Sequence, residues 1–254
     1  MKVRFFSTFE PATSFYRDLL PSLAAAGDDV EVVMSRAEYR GGRPLLAAAL
    51  GGTGVRVHRV RSGVAQPASS RQKVQAMVTY LVGAVTRSAF GAAADVNVFF
   101  STPPFFAGWG LVLRALRGQP YLCIIQDVWP DVLIADGRLP GGGRAARVLT
   151  WLSRLIWRRA DAVVVIGRCM EELVIAGGVN PSRVHMVPNW AHSAVTDAVA
   201  VADNEIRREL GLGDRFVVLY SGNLGVSHSF DEILAVAAQF RESHPDVVFV
   251  FIGG

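Results

Sequence analysis

Asp127 stands in the run Gln126-Asp127-Val128-Trp129-Pro130-Asp131, just past an apolar stretch and beside an aromatic and a proline that fix a turn. A carboxylate in such a place can orient a hydroxyl or hold a reacting group. It can equally cap the turn, a common station for aspartate, and Asp131 reads first as a turn or cap residue. Ser221-Gly222-Asn223-Leu224-Gly225 follows a second apolar run. Glycine there lets backbone N–H groups close on an anion, and the helix start that follows adds its positive dipole end. An ordinary strand-to-helix turn is the alternative, but the position after a strand favours phosphate. Ser101-Thr102-Pro103-Pro104 follows a third apolar run and reads as a rigid turn that shapes a binding mouth. Asn189, after Pro188, suits either a ligand contact or a hinge. Thr13 and Ser14 look first like helix N-caps, and His228 like a solvent-facing loop residue. No group of His, Cys, Asp and Glu has metal-ligand spacing, so neither a metal nor a cofactor is expected.

The elements that must position these residues alternate almost throughout. Strand-like runs cover 3–7, 30–34, 55–60, 96–100, 121–126, 162–166 and 184–187. Helical patterns cover 14–26, 70–90, 105–116, 144–159 and 169–176, and Gly27 supplies the stop of the first. Strands separated by helices of this length indicate βαβ units and a doubly wound parallel sheet. Ligands in such sheets bind beyond the C-terminal ends of the strands, so the loops to inspect are 8–14, 101–104, 127–131, 188–192 and 221–228. The pattern restarts at 216 with a strand, a helix over 230–241 and a second strand over 247–252. An opening of this kind cannot cover both faces of its own parallel sheet. The expectation is one complete Rossmann-like α/β domain over 1–190, a connection over 191–213, and the truncated start of a second domain over 214–254.

Composition narrows the classes further. Of the 254 residues 51% are apolar and 19% charged, which supports a sizeable core and excludes a disordered chain. The net charge of +4 rests almost entirely on arginine, and a high-GC coding bias accounts for that as well as any ligand does. Nucleic acid is therefore not expected as a partner. Cys123 and Cys169 lie in apolar stretches without a nearby Cys or His partner and read as buried reduced thiols of a cytoplasmic protein. No apolar run approaches the roughly 18 residues of a membrane span.

In this order and spacing, the Ser-Thr-Pro-Pro turn, the Asp-Val-Trp-Pro-Asp turn, the strand after Arg159-Ala160-Asp161, the Val187-Pro188-Asn189-Trp190 close and the Ser221–Gly225 turn resemble the family-4 retaining glycosyltransferases of GT-B fold. The likeness is to the branch that builds bacterial surface polysaccharides, and it is strongest over residues 95–254. It implies two facing Rossmann-like domains, the first for a glycan or polyprenyl-lipid-linked acceptor and the second for a nucleotide-diphosphate sugar. Transfer would retain the anomeric configuration. Asp127 would be the catalytic residue. Substrate contacts would come from Ser101, Thr102, Pro103 and Asn189, and from Ser221, Gly222, Asn223, Leu224 and Gly225. Three departures stand out. The paired-glutamate segment that grips the donor is absent, Phe9-Glu10-Pro11-Ala12 replaces a glycine-rich first turn, and Asn223 and His228 stand where relatives carry Arg and Lys. The truncated chain alone is expected to be inactive.

Two other classes compete. A non-catalytic acceptor-binding subunit would need a separate chain to supply the donor half. A nicotinamide enzyme would need Gly-x-Gly-x-x-Gly after the first strand, where Thr8-Phe9-Glu10-Pro11 stands instead. Finally, a helix over 144–159 places Arg144, Arg147, Arg154 and Arg158 on one face with Trp151, and assigns Val148, Leu149, Leu152, Leu155 and Ile156 to the other. Such a face suits an anionic membrane surface at the inner leaflet, and a solvated surface helix is equally compatible with it.

Overall fold

Parallel strands buried on both faces read as nearly unbroken apolar runs, and these runs pair into one sheet in a computed structural model describing residues 1–7, 14–35, 50–60, 69–190, 199–222 and 230–253. The strands are β1 (Lys2–Ser7), β2 (Asp29–Ser35), β3 (Arg56–Val60), β4 (Val96–Phe100), β5 (Tyr121–Ile125), β6 (Ala162–Val165) and β7 (Val184–Met186). All neighbours are parallel in the order β3-β2-β1-β4-β5-β6-β7. The order reverses between β1 and β4, which opens a crevice above the C-terminal ends of those two strands.

Alternate residues of each strand face opposite sides, and each side has its own core. Val3, Phe5, Val30, Val32 and Met34 pack with Leu20 of helix α1 (Ser14–Ala25). On the other face Phe6, Val33, Phe99, Tyr121 and Val163 meet helices α2 (Ser70–Phe90), α3 (Gly108–Arg117), α5 (Arg144–Arg159) and α6 (Arg168–Ala176) through Tyr80, Leu113, Ile156 and Val174. Phe6 stacks on Phe99 at 4.6 Å, and Phe106 meets both edge-on. Gly110 sets the distance of α3 from the sheet, since a Cβ there would lie 2.6 Å from the Tyr121 ring. Helix α2 starts from a capping box: the Gln72 amide donates to Ser69 Oγ, and the Ser69 amide donates back to the Gln72 side chain.

The helix expected over 105–116 begins three residues later, because the turn after Pro103-Pro104 runs through Phe105 at φ 62°. Helix α4 (Asp131–Ala135) had no sequence signal, being too short to show a period. Asp131 opens it, where a carboxylate suits the helix dipole. Cys123 is buried, which pushes its thiol up to about 12. Cys169, expected to be buried, is exposed. Helix α6 turns Val174 to the core, and a residue five positions earlier lies well round the helix from it. Val148, assigned to the apolar side of α5, is also exposed. Four residues advance a helix by about 40° beyond a full turn, so Val148 shares the face of Arg144.

The chain divides into two compact units, Met1–His192 and Ser193–Gly254. The second holds helix α7 (Glu205–Glu209), the parallel pair β8 (Phe216–Ser221) and β9 (Val247–Ile252), and helix α8 (Asp231–Ser243) between them. Tyr220, Phe230 and Phe251 form an aromatic cluster there, while Phe216, Leu219 and Leu234 stay exposed.

Candidate active site

Strands β4, β5 and β7 deliver three of the sequence-marked segments to one edge of the sheet. Ser101 follows β4 directly. Its hydroxyl oxygen accepts from the backbone amides of Gln126 at 3.1 Å and Asp127 at 3.0 Å, just past the end of β5. One hydroxyl therefore ties the Ser-Thr-Pro-Pro turn to the Asp127 turn. Gln126 reaches the other way: its amide group and that of Asn189 exchange hydrogen bonds at 3.0 and 3.3 Å. Ser101, Asp127 and Asn189, separate in sequence, are thus joined through two contacts of residues 126–127. Thr102 is exposed and Pro103 buried, with cis bonds at Thr102-Pro103 and Trp129-Pro130. Pro103 anchors its turn from beneath while Thr102 faces solvent.

Asp127 is exposed, and among the described residues no hydrogen bond or ion pair engages its carboxylate. Beside it lies a cavity of about 30 Å³, whose polar lining comes from Ser101, Asp127, Trp129 and Ser153. The Trp129 indole N–H is buried without a partner among the described residues, and Ser153 Oγ donates to the Trp129 carbonyl at 2.6 Å. The space accommodates a water or one hydroxyl. A second, mostly apolar cavity of about 180 Å³ lies between Leu19, Phe100, Ile124, Val187 and Trp190, with the Gln126–Asn189 pair on its rim. Trp190 donates its indole N–H to Asp18 at 3.3 Å.

In the second unit Ser221 ends β8, and the Gly222 amide donates to the Ile252 carbonyl at 2.9 Å. The sheet thus uses the Gly222 amide of the expected anion nest. Asn223, Leu224, Gly225 and His228 lie outside the described residues, as does Thr13 of the first turn, while Ser14 opens helix α1. Gln126 and Trp129 carry no local sequence signal as site residues: the part of Gln126 depends on which strands are neighbours, and that of Trp129 on how helix α5 packs over the turn.

Ser101→Ala removes the acceptor of two amides. It is expected to lower stability by about 1–3 kcal/mol in urea unfolding and to speed hydrogen exchange at the Gln126 and Asp127 amides. Exchange unchanged from wild type would mean that the turn is held by its prolines instead.

Residues 12–190 match the family described as the glycosyl transferase 4-like domain. The chain is 32% identical over 157 residues to WcaI of Escherichia coli strain K12, named as a colanic acid biosynthesis glycosyl transferase; the match covers 59% of this chain and 38% of that one. It is 28% identical over 142 residues to WbjE of Pseudomonas aeruginosa, named as a glycosyltransferase, covering 56% and 35%. Among solved structures, Anabaena HepE in complex with UDP and glucose superposes with a TM-score of 0.64 at 15% identity, over 99% of this chain and 60% of that one. Sucrose-phosphate synthase from Thermosynechococcus elongatus gives 0.66 at 17%, over 99% and 62%. These likenesses are to GT-B proteins and bear on the fold. The chain spans less than two fifths of the length of the two curated relatives.

Proposed function

The chain belongs to the glycosyl transferase 4-like domain family, and from that premise we propose that it serves sugar transfer from a nucleotide-diphosphate sugar to a glycan or polyprenyl-lipid-linked acceptor in surface polysaccharide biosynthesis. The observation that carries the reading is the linked edge of the first sheet, where Ser101 fixes the turn bearing an unengaged Asp127 carboxylate and Gln126 fixes Asn189. The first unit is the acceptor domain on this reading, and the second begins the nucleotide-sugar domain.

The reaction joins an acceptor hydroxyl oxygen to the anomeric carbon as the bond from that carbon to the diphosphate breaks, and the hydroxyl proton leaves with base or diphosphate. Asp127 accepts a hydrogen bond from the acceptor hydroxyl or holds the reacting sugar. Ser101, Thr102 and Pro103 shape the acceptor mouth, and Asn189 lies at its rim. Charge growing on the diphosphate is met by N–H donors of the Ser221–Gly225 turn, an electrostatic contribution of the kind that dominates many transfers. No helix among the described residues is long and apolar enough to cross a membrane, and a lipid-linked acceptor would bring the protein to the inner membrane face as a peripheral partner.

The test is to supply the full-length gene product with a panel of nucleotide-diphosphate sugars and glycan or polyprenyl-phosphate acceptors. The expected result is transfer from one donor with the anomeric configuration retained, read by NMR of the product. Hydrolysis or transfer from none of the donors would overturn the assignment, and inverted product would overturn retention.

A further inference from the structure

Helices α2, α3 and α5 lie side by side over one face of the first sheet. Trp109 of α3 donates to Ser88 of α2 at 2.8 Å, Arg117 of α3 donates to the Ser88 carbonyl at 2.8 Å, and Gly108 of α3 adjoins Ile156 of α5. These three helices contain no Asp or Glu. They carry ten Lys and Arg residues: three on α2, two on α3 and five on α5. Elsewhere the chain has sixteen basic against 22 acidic residues, so the basic excess of the whole protein is concentrated in this layer. The neighbouring helix α6, with Glu171 and Glu172, bounds it on one side.

The outward surface of the layer is also apolar. On α2 the buried residues Ala76, Tyr80 and Ala84 face the sheet, and the positions two residues before each, Val74, Val78 and Val82, point away from it at 54%, 51% and 61% exposure. Leu116 of α3 is 78% exposed, and on α5 Val148 and Trp151 stand with Arg144 and Arg147 around an open groove. Apolar side chains interleaved with arginines, with no carboxylate on the three helices and Asp161 paired to Arg114 at the layer's margin, match the chemistry of a bilayer interface. A polyanion in solution would have no use for the valine stripe. In a parallel sheet with antiparallel crossover helices, α2 and α5 begin at the strand C-terminal edge. The exposed Val74, Val78, Val148 and Trp151 therefore lie toward the end of the layer that carries Ser101 and Asp127.

We infer that the α2–α3–α5 layer is the surface by which the protein lies on an anionic lipid bilayer, with α2 as much a part of it as α5. The inference rests on the peripheral-membrane reading above and names its surface. The test sediments the full chain with vesicles of phosphatidylcholine alone and of phosphatidylcholine mixed with phosphatidylglycerol. Wild type is expected to bind the mixed vesicles and to release them as salt rises. Val74→Asp/Val78→Asp/Val82→Asp on α2, and separately Arg144→Glu/Arg147→Glu on α5, are each expected to weaken binding by about tenfold or more. All five positions are exposed, and circular dichroism with a thermal midpoint checks that the variants fold.

Absence of wild-type binding would sink both the surface and the membrane reading. Loss with the α5 variant alone would confine contact to that helix and overturn the layer. Binding to duplex DNA with no vesicle sedimentation would assign the charge to another polyanion and overturn the inference. Asp127→Ala should sediment as wild type does, so a failed transfer assay and a failed docking surface are told apart.

Discussion

Glu31→Ala is expected to destabilise the first unit by about 3–5 kcal/mol, enough to threaten the fold of a marginally stable domain. Glu31 is 2% exposed on β2 and pairs with the Arg4 guanidinium, 1% exposed on β1, while Lys2 at 3.6 Å, His58 at 3.4 Å and Arg56 at 3.7 Å converge on its other oxygen. Arg4 also donates to Asn97 on β4, which in turn donates to Gln119 at 3.0 Å. Removing the carboxylate leaves a buried guanidinium without its counter-charge, whereas an apolar pair of similar size, Arg4→Met with Glu31→Leu, should recover most of the loss. Urea midpoints of the single and double variants provide the check. A single variant within about 1 kcal/mol of wild type would contradict the account.

Acid should act on the same cluster. Burial alone would raise the Glu31 pKa, but Arg4, Lys2 and His58 outweigh it and hold the carboxyl below its usual 4.5. A lowered folded pKa means that this stabilisation is complete above the unfolded value and is lost as pH falls through the folded one. Burial, then Arg87, pushes His58 below 6.5 against the pull of Glu31. The unfolded chain then takes up that proton first, and acidification below 6.5 again favours unfolding. Both groups predict stability that declines with falling pH, in two stages.

The second large effect concerns chemistry. In the full-length gene product, Asp127→Ala should lower kcat by about 10²-fold or more if the carboxylate acts on the acceptor hydroxyl in the transition state, with a smaller change in KM. An interaction made mainly in the transition state shows this pattern, whereas lost ground-state binding raises KM alone. Thermal unfolding should change little, since the side chain is exposed and no hydrogen bond or ion pair among the described residues engages its carboxylate. Wild-type kinetics in Asp127→Ala would return the residue to a turn-capping part.

Much of the architecture could be read from the chain because buried parallel strands are written as apolar runs such as Ala162-Val163-Val164-Val165. The order of those strands could not, since the pairing of Val3 with Val96 leaves no local mark. Asp127 was visible through its neighbours Trp129 and Pro130. The hydroxyl that holds its turn was visible only as part of a Ser-Thr-Pro-Pro motif, because Ser101 and Gln126 meet through the adjacency of β4 and β5. The Arg4–Glu31 pair did leave a trace, as opposite charges inside the first two apolar strands. The outward stripe of α2 is not legible in the sequence, because apolar residues occupy both the sheet side and the solvent side of this helix and only the position of Tyr80 against the sheet tells them apart.

The reversal of strand order beside β1 also has a consequence for how the protein is made. A nascent chain can pair β1 with β2 early, but the other edge of β1 must wait for β4, whose Asn97 meets Arg4 from 93 residues downstream. At about 5–20 residues per second of synthesis, β1 spends on the order of five to twenty seconds with that edge of its backbone unpaired. Its assembly is thus timed by the ribosome, and a holdase chaperone would find a target in the open edge of β1 until β4 emerges.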